Sequence, residues 1–293
     1  MRQAARNDDG HVCKFVRPPP HVGGPVTAGT HKVLVNSQEA ATYGDEAACT
    51  GVGNPPPRDS ITGGNLMVFV GGNPAARINE VTFGGSVVVG SPNVFHNDAP
   101  GPLSEAAANW LHQYLQQQTN IPFGYGWDGC YKRAELMRGI MENQFGLGCQ
   151  KIFAYGDLQP TTGPVNGPPF DGWGYHVAPM VSGVDSQGNP TNWVMDPSLS
   201  PSTVTTRDEW LNVTTGNGRL DKWEARPGDD YFPIGPYGSG GYGKDHGQVD
   251  DRINEYRRRL AAGQHIEPDP NLSSKVGAKE SFPTPVVHPT HVP

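Results

Sequence analysis

The sequence predicts two domains of unlike class: a small all-β body over residues 11–97 and an α+β domain over residues 104–262, joined by a linker at 98–103. Three observations predict this. A Gly-led hydrophobic unit recurs before residue 97, and recurring β units build all-β bodies. At Ser104 the apolar spacing changes from strand-like runs to helical periodicity. Beyond that point helical stretches come first and strand-like ones follow, the order of an α+β domain. A chain of 293 residues suits one large or two modest domains, at roughly 100–200 residues each. Its Gly 39 and Pro 29, against 17% charged residues, mark a chain rich in turns and short strands.

The repeat justifies the first domain. Gly29-Thr-His-Lys-Val33-Leu-Val35 leads to Ala40-Ala41, and Gly64-Asn-Leu-Met-Val68-Phe-Val70 leads to Ala75-Ala76, an offset of 35 residues. A shorter third copy is Gly90-Ser-Pro-Asn-Val94-Phe95. Each reads as a strand entered through a Gly turn, and three such units give approximate three-fold symmetry. The second copy also contains Pro74-Ala75-Ala76-Arg77, and the first has Ala40-Ala41-Thr42 followed by Gly44-Asp45. With these strings, residues 11–97 resemble a PAAR-repeat domain. The resemblance implies a conical cap seated on the trimeric spike of a type VI secretion system, with a metal held near its tip by His and Cys. His21 and Cys49 stand where that pattern places ligands, which would make a structural zinc the cofactor of this domain. A further His expected before Gly84-Gly85 is replaced by Phe83. His11, Cys13, His31 or His96 could complete a tetrahedral set, and spacing does not choose among them.

Turn-forming residues fill the linker, Asn97-Asp-Ala-Pro-Gly-Pro-Leu103. Ser104 then caps a helix whose apolar positions Ala107, Trp110, Leu111, Tyr114 and Leu115 form one stripe. A second helix opens at Asp128, runs through Cys130, Ala134, Met137, Met141 and Phe145, and stops at Gly146-Leu-Gly148. Strands are expected at 151–155, 172–181 and 191–195. The Gly/Pro/Tyr-rich stretch 227–247 reads as a long loop, and a short charged helix follows near 250–262. Residues 263–293 carry six prolines and few core-forming residues, so this tail is expected to be extended or disordered.

A formal charge of −7 is the wrong sign for nucleic acid or an anionic membrane. The longest apolar run, Leu66–Val70, is far below the ~18 residues a membrane span needs. The opening MRQAARNDDG has no apolar h-region, so no signal peptide is expected and another machine would have to export the chain. Four scattered cysteines favour a reducing compartment, with thiols free for metal or catalysis.

One constellation carries chemistry. Cys130 sits at a helix start, where unpaired N–H groups and the helix dipole favour a thiolate. His176 lies in a strand with Gly174 and Ala178 on its own face, small residues that leave room for that helix end. Asp196 ends the next strand before Pro197, from where its carboxylate could fix the imidazole's tautomer. Cys149 follows a Gly stop and serves as the packing control. The order Cys, His, Asp on helix, strand and strand resembles papain-like and transglutaminase-like cysteine enzymes.

Three strings narrow this: Asp128-Gly-Cys130-Tyr-Lys-Arg133-Ala134-Glu-Leu-Met, Trp173-Gly-Tyr-His176-Val-Ala-Pro179 and Val194-Met-Asp196-Pro-Ser198. They resemble the bacterial protein-glutaminase family, which deamidates glutamine side chains in intact proteins, over roughly residues 104–215. The resemblance implies Cys130 as nucleophile, His176 as acid/base and Asp196 as orienting carboxylate, with no cofactor for catalysis. Arg133 reads as a structural member of the motif or a surface residue, and Tyr125, Trp127, Trp173 and Tyr175 as slot walls or core. Joined, the halves imply a secreted type VI effector, made in the bacterial cytoplasm and acting on glutamine-containing target proteins, with a cognate immunity protein. The competing readings are a cysteine peptidase or peptidoglycan amidase, and a non-catalytic spike-tip adaptor.

Overall fold

The computed structural model describes residues 1–14, 22–27, 31–49, 58–97, 101–124, 129–162, 172–234, 236–243 and 258. They form two compact units, Met1–Ala107 with Ile140–Gly148, and Ala108–Gly139 with Cys149–Pro293. His21, linker residues 98–100, the helix expected near 250–262 apart from helical Arg258, and the Pro-rich tail lie outside the described residues.

The first unit is made of short antiparallel ribbons. Leu34–Val35 pairs with Gln38–Glu39, and Asn65–Val70 pairs with Asn73–Ala75, so both full copies of the repeat are hairpins that end in Ala-Ala. Their tips are Asn36-Ser37, at φ 53 and 65, and Gly71-Gly72, at φ 59 and 88. Two successive left-handed residues are what a tight type I′ hairpin turn requires. The third copy is completed by the chain's own beginning. Phe95–His96 pairs with Arg2–Gln3, and Ala4-Ala5 follows.

The three Ala pairs meet at the centre. The Ala5 N–H donates to the Ala76 carbonyl at 3.0 Å, Ala76 to Ala41 at 2.8 Å, and Ala41 back to Ala5 at 2.9 Å. Four residues beyond each, an acidic side chain closes a turn: Asp9 accepts from the Arg6 N–H, Asp45 from the Thr42 N–H, and Glu80 from the Arg77 guanidinium. Val26, Ile61 and Val87 then donate to the carbonyls of Asp9, Asp45 and Glu80, and pack with Ala5, Ala41 and Ala76 in one buried core. This geometry corrects the boundary at residue 11. Residues 2–9 supply one side of the ring, and a body opened at His11 would lack it.

The second unit contains helices α1 (Glu105–Gln116), α2 (Cys130–Phe145) and α3 (Arg207–Thr215), of which α1 and α2 begin or end in the first unit's residues. Its strands are β1 (Gln150–Leu158), β2 (Trp173–Val184), β3 (Pro190–Val194), β4 (Thr205–Thr206) and β5 (Arg219–Pro227). They form an antiparallel sheet in the order β4-β3-β2-β1-β5. Central β1 is buried on both faces. Phe153 and Tyr155 pack with Tyr131 and Ala134 of α2, and Ile152 and Ala154 with Trp210 and Leu211 of α3. Alternation along one strand thus sets α2 on one face of the sheet and α3 on the other.

A buried ion pair joins the layers: Lys151 of β1 donates to Glu135 of α2 at 2.7 Å and to the Asp230 carbonyl at 2.9 Å. The three expected strands are present, the first two longer than read. α3 and β5 add to the sequence reading, and α3 had a legible signal. Thr206 and Glu209 form a reciprocal capping box. Within the expected loop 227–247, Phe232–Pro233 pairs with Tyr242–Gly243.

The alanine ring yields a direct test. Its three side chains are at most 1% exposed, so Ala41→Leu should overpack the axis and cost about 1–3 kcal/mol. Urea unfolding of the full chain measures this, and an unchanged midpoint would contradict a close-packed axis.

Candidate active site

Gly129 prepares the nucleophile's position. Its φ of 85 is the left-handed conformation glycine adopts without strain. Its carbonyl accepts from the Lys132 and Arg133 N–H groups at 3.0 and 2.9 Å, closing the first turn of α2 directly behind Cys130. Cys130 is the first residue of the helix, so its own N–H has no carbonyl four residues earlier within the helix to donate to. Arg133 is buried rather than a surface residue.

Sheet register brings the other two residues together. Met180 of β2 faces Val194 of β3, and the Met195 N–H still reaches the Pro179 carbonyl at 2.9 Å. Two residues onward, alternation puts Asp196 on the face shared by His176 and Ala178. Pro197, lacking an N–H, cannot continue the ladder. His176 Nε2 and Asp196 Oδ2 are 2.7 Å apart, and both residues are buried. With Nε2 committed to Asp196, Nδ1 is the ring nitrogen left for Cys130, whose thiol interacts with this imidazole. Nδ1 is itself buried, with no aligned hydrogen bond in the resting geometry. Such contacts commonly tighten only when substrate binds.

The electrostatics follow. Burial alone would push His176 down, but the Asp196 charge and hydrogen bond, with a smaller contribution from Cys130, raise its pKa to about 9. Burial would raise Asp196, yet the imidazole, Ser198 and Trp210 outweigh it and lower the pKa to about 2. The pair is therefore carboxylate and imidazolium at neutral pH.

Four further neighbours surround the pair, of which Trp173 was read from the sequence as a slot wall or core residue. Ser198 Oγ donates to Asp196 Oδ1, and the Trp210 indole N–H donates to Oδ2 at 2.8 Å. Trp173 stacks on the His176 ring at 4.4 Å and 14°. His112 of α1 is fully buried against the Asp196 backbone; burial, partly offset by the charge and carbonyl of Asp196, lowers its pKa to about 4. Ser198 lies in a quoted motif, but Trp210 and His112 sit on helices distant in sequence, with no local mark. Tyr175 packs with the Tyr155 cluster, and Cys149 lies beside Lys151. Asp128, Tyr125 and Trp127 lie outside the described residues.

Comparison with known families bears on each unit. A model described as Glutaminase matches residues 108–214, which hold all three residues of this cluster. A model described as PAAR motif matches residues 16–89. The chain joins a segment matched by a PAAR-motif model to a glutaminase-like domain. Similar solved structures include a crystal structure of a pro-protein-glutaminase, 28% identical, with 62% of this chain and 67% of that one covered and a TM-score of 0.49. Another is the NMR structure of protein-glutaminase from Chryseobacterium proteolyticum, 28% identical, covering 59% and 96% with a TM-score of 0.47. Among curated proteins none matches.

In the PAAR unit, Cys49 is buried, and burial, with the neighbouring Cys13 thiol and Asp59, raises its pKa to about 11. His11 is two residues from Cys13 on one strand, hence on the same face. Its Nε2 bonds Asp59 Oδ2 at 2.8 Å, while its Nδ1 is buried without a partner. Asp59 also accepts from Thr82 Oγ1 at 2.7 Å and the Gly84 N–H at 2.9 Å. His31 and His96 stand elsewhere, the first bonded to Thr42 and the second in the ribbon with Arg2. Among the described residues no three His, Cys, Asp or Glu side chains are already arranged to hold a metal.

The glutaminase domain's titrations give a prediction with a definite sign. The raised His176 contributes stability that is full below its unfolded value of 6.5 and lost as pH rises through about 9. The lowered Asp196 contributes above 3.8 and loses it as pH falls through about 2. Buried neutral His112 acts oppositely to His176, costing stability as pH falls from 6.5 toward 4. Stability should therefore peak near pH 6.5. By NMR, the His176 ring should titrate near 9 and drop below 6.5 in Asp196→Asn; a midpoint unmoved by that substitution would refute the coupling.

Proposed function

We propose that the glutaminase domain hydrolyses the side-chain amide of glutamine in intact proteins, using Cys130, His176 and Asp196. The observation that carries the reading is the buried His176–Asp196 pair beside helix-start Cys130, inside the segment matched by the Glutaminase family model. The layout of helix-borne cysteine, strand-borne histidine and following carboxylate is that of a papain/transglutaminase-like enzyme.

The groups dictate the steps. The Cys130 thiolate attacks the glutamine Cδ, and the Cys130 backbone N–H is the candidate donor to the oxyanion. As the C–N bond breaks, His176 gives its proton to the departing nitrogen, which leaves as ammonia. Neutral His176 then takes a proton from water as that water attacks the thioester. The C–S bond breaks, the thiolate returns and glutamate remains. Asp196, tied to Nε2, keeps Nδ1 aimed at the reacting atoms throughout.

The PAAR unit supplies delivery. Its ring of three near-equivalent units suits a three-fold partner, so we read it as the cap of a trimeric type VI spike that carries the enzyme from the producing bacterium into a target cell. A cognate immunity protein would protect the producer. Among the described residues no helix is long and apolar enough to cross a membrane.

We propose a structural zinc in the same unit. His21 and Cys49 are its first candidate ligands; the Cys13 thiol neighbours Cys49, and the buried Nδ1 of His11, whose Nε2 is held by Asp59, is a further candidate that would have to move into place on binding. Elemental analysis of the full chain should find zinc that Cys49→Ser depletes. Protein free of zinc after purification in zinc-containing medium would overturn this.

Incubated with a glutamine-rich protein such as casein, the full chain should release ammonia and raise substrate mass by about one dalton per event, without chain cleavage, and Cys130→Ala should abolish both. Peptide fragments without ammonia would establish a peptidase instead. Ammonia release at the wild-type rate by Cys130→Ala would end the assignment.

A further inference from the structure

We infer that Trp210 is a positioning residue of the active site, setting the strength of the Asp196–His176 hydrogen bond through its indole N–H. The inference rests on the deamidase reading for its kinetic consequence but not for its geometry.

Trp210 is 1% exposed, in the first turns of α3, which Thr206 caps. Its Nε1 is 2.8 Å from Asp196 Oδ2, the same oxygen that meets His176 Nε2 at 2.7 Å. Its ring also stacks on His176 at 5.5 Å and 21°. One side chain therefore touches both members of the pair. A buried indole N–H needs an acceptor, and a buried carboxylate needs donors, so each satisfies the other's requirement. Core packing alone does not require this oxygen as acceptor.

The consequence for proton affinity has a fixed sign. Two donors share Oδ2, so the indole draws off carboxylate charge that would otherwise act wholly on the imidazolium. Removing the indole N–H leaves Asp196 more basic and its hold on the His176 proton tighter. The imidazolium then gives up its proton to the leaving nitrogen less readily. The other groups facing the pair are Ser198 on Oδ1, His112 against the Asp196 backbone, Trp173 on the ring and the Cys130 thiol. None of them donates to Oδ2.

Trp210→Phe keeps an aromatic ring and deletes the donor. In the full chain, kcat should fall about tenfold, a part of the roughly 10²–10⁴-fold that general acid–base catalysis contributes. KM should hold, because Trp210 is buried, at 1% exposure, behind the His176–Asp196 pair. The His176 titration, followed by NMR independently of activity, should move to higher pH. A titration unmoved in folded Trp210→Phe would overturn the inference and leave the deamidase reading intact. Loss of ammonia release by the wild-type chain would instead sink that reading and leave the NMR test standing.

Should the variant fail to fold, the unaltered protein still decides. The Trp210 indole N–H resonance should shift with the same midpoint as His176, and an indole indifferent to that titration would overturn the inference.

Discussion

A carboxylate taken wholly out of water is the constraint around which the glutaminase domain is arranged. Left alone, Asp196 would protonate rather than remain charged at 3% exposure. It stays charged because His176 and Trp210 share one oxygen and Ser198 donates to the other. Those partners come from β2, α3 and the turn after β3. The three elements must therefore be in place together before the charge is affordable, which links folding of the sheet to readiness of the site. The reverse also holds: an imidazole as buried as His176 stays cationic near neutral pH because that charge faces it.

The PAAR unit solves a different problem with no charge at its axis. Small ribbons of two to six residues bury little surface individually, so their stability has to come from closure. Alanine is the residue that permits this, since its side chain allows three backbones to approach within hydrogen-bonding distance around one point. The sequence displayed this principle at Ala40-Ala41 and Ala75-Ala76. It concealed the third instance, because Ala4-Ala5 precedes the strand it belongs with by some ninety residues and the pairing Phe95–His96 with Arg2–Gln3 is made in space. Repeats are legible when each copy is contiguous. A copy assembled from both ends of a domain leaves half its signal at each end.

The same distinction separates the legible from the illegible parts of the active site. Cys130 was marked by its place at a helix start and Asp196 by the proline after it, both local and physical cues; the small residues on the His176 face were read as room for the Cys130 helix, and the structure sets Trp210 of α3 against that face instead. The expected strands held for the same reason, since apolar alternation is written along the chain. Trp210 and His112 carried no such cue. A tryptophan on an amphipathic helix reads as core, and only the tertiary contact reveals that its N–H faces a carboxylate. Arg133 shows the converse, a charged residue readable as surface that the fold buries.

On the deamidase reading, the ordering of influences on His176 also explains how one imidazole serves as acid and then as base. In the resting site its proton is held by Asp196 foremost and by Cys130 in smaller part. That proton is available when the amide nitrogen departs. Once the sulfur is bound in a thioester its interaction with the imidazole is lost, while that of Asp196 persists. The imidazole is then easier to keep neutral at the step where it must accept a proton from water. The reaction itself removes the sulfur contact that favoured the first role. The indole on Oδ2 acts in the same direction at both steps, keeping the persistent pull of Asp196 from becoming so strong that the imidazole could never let go.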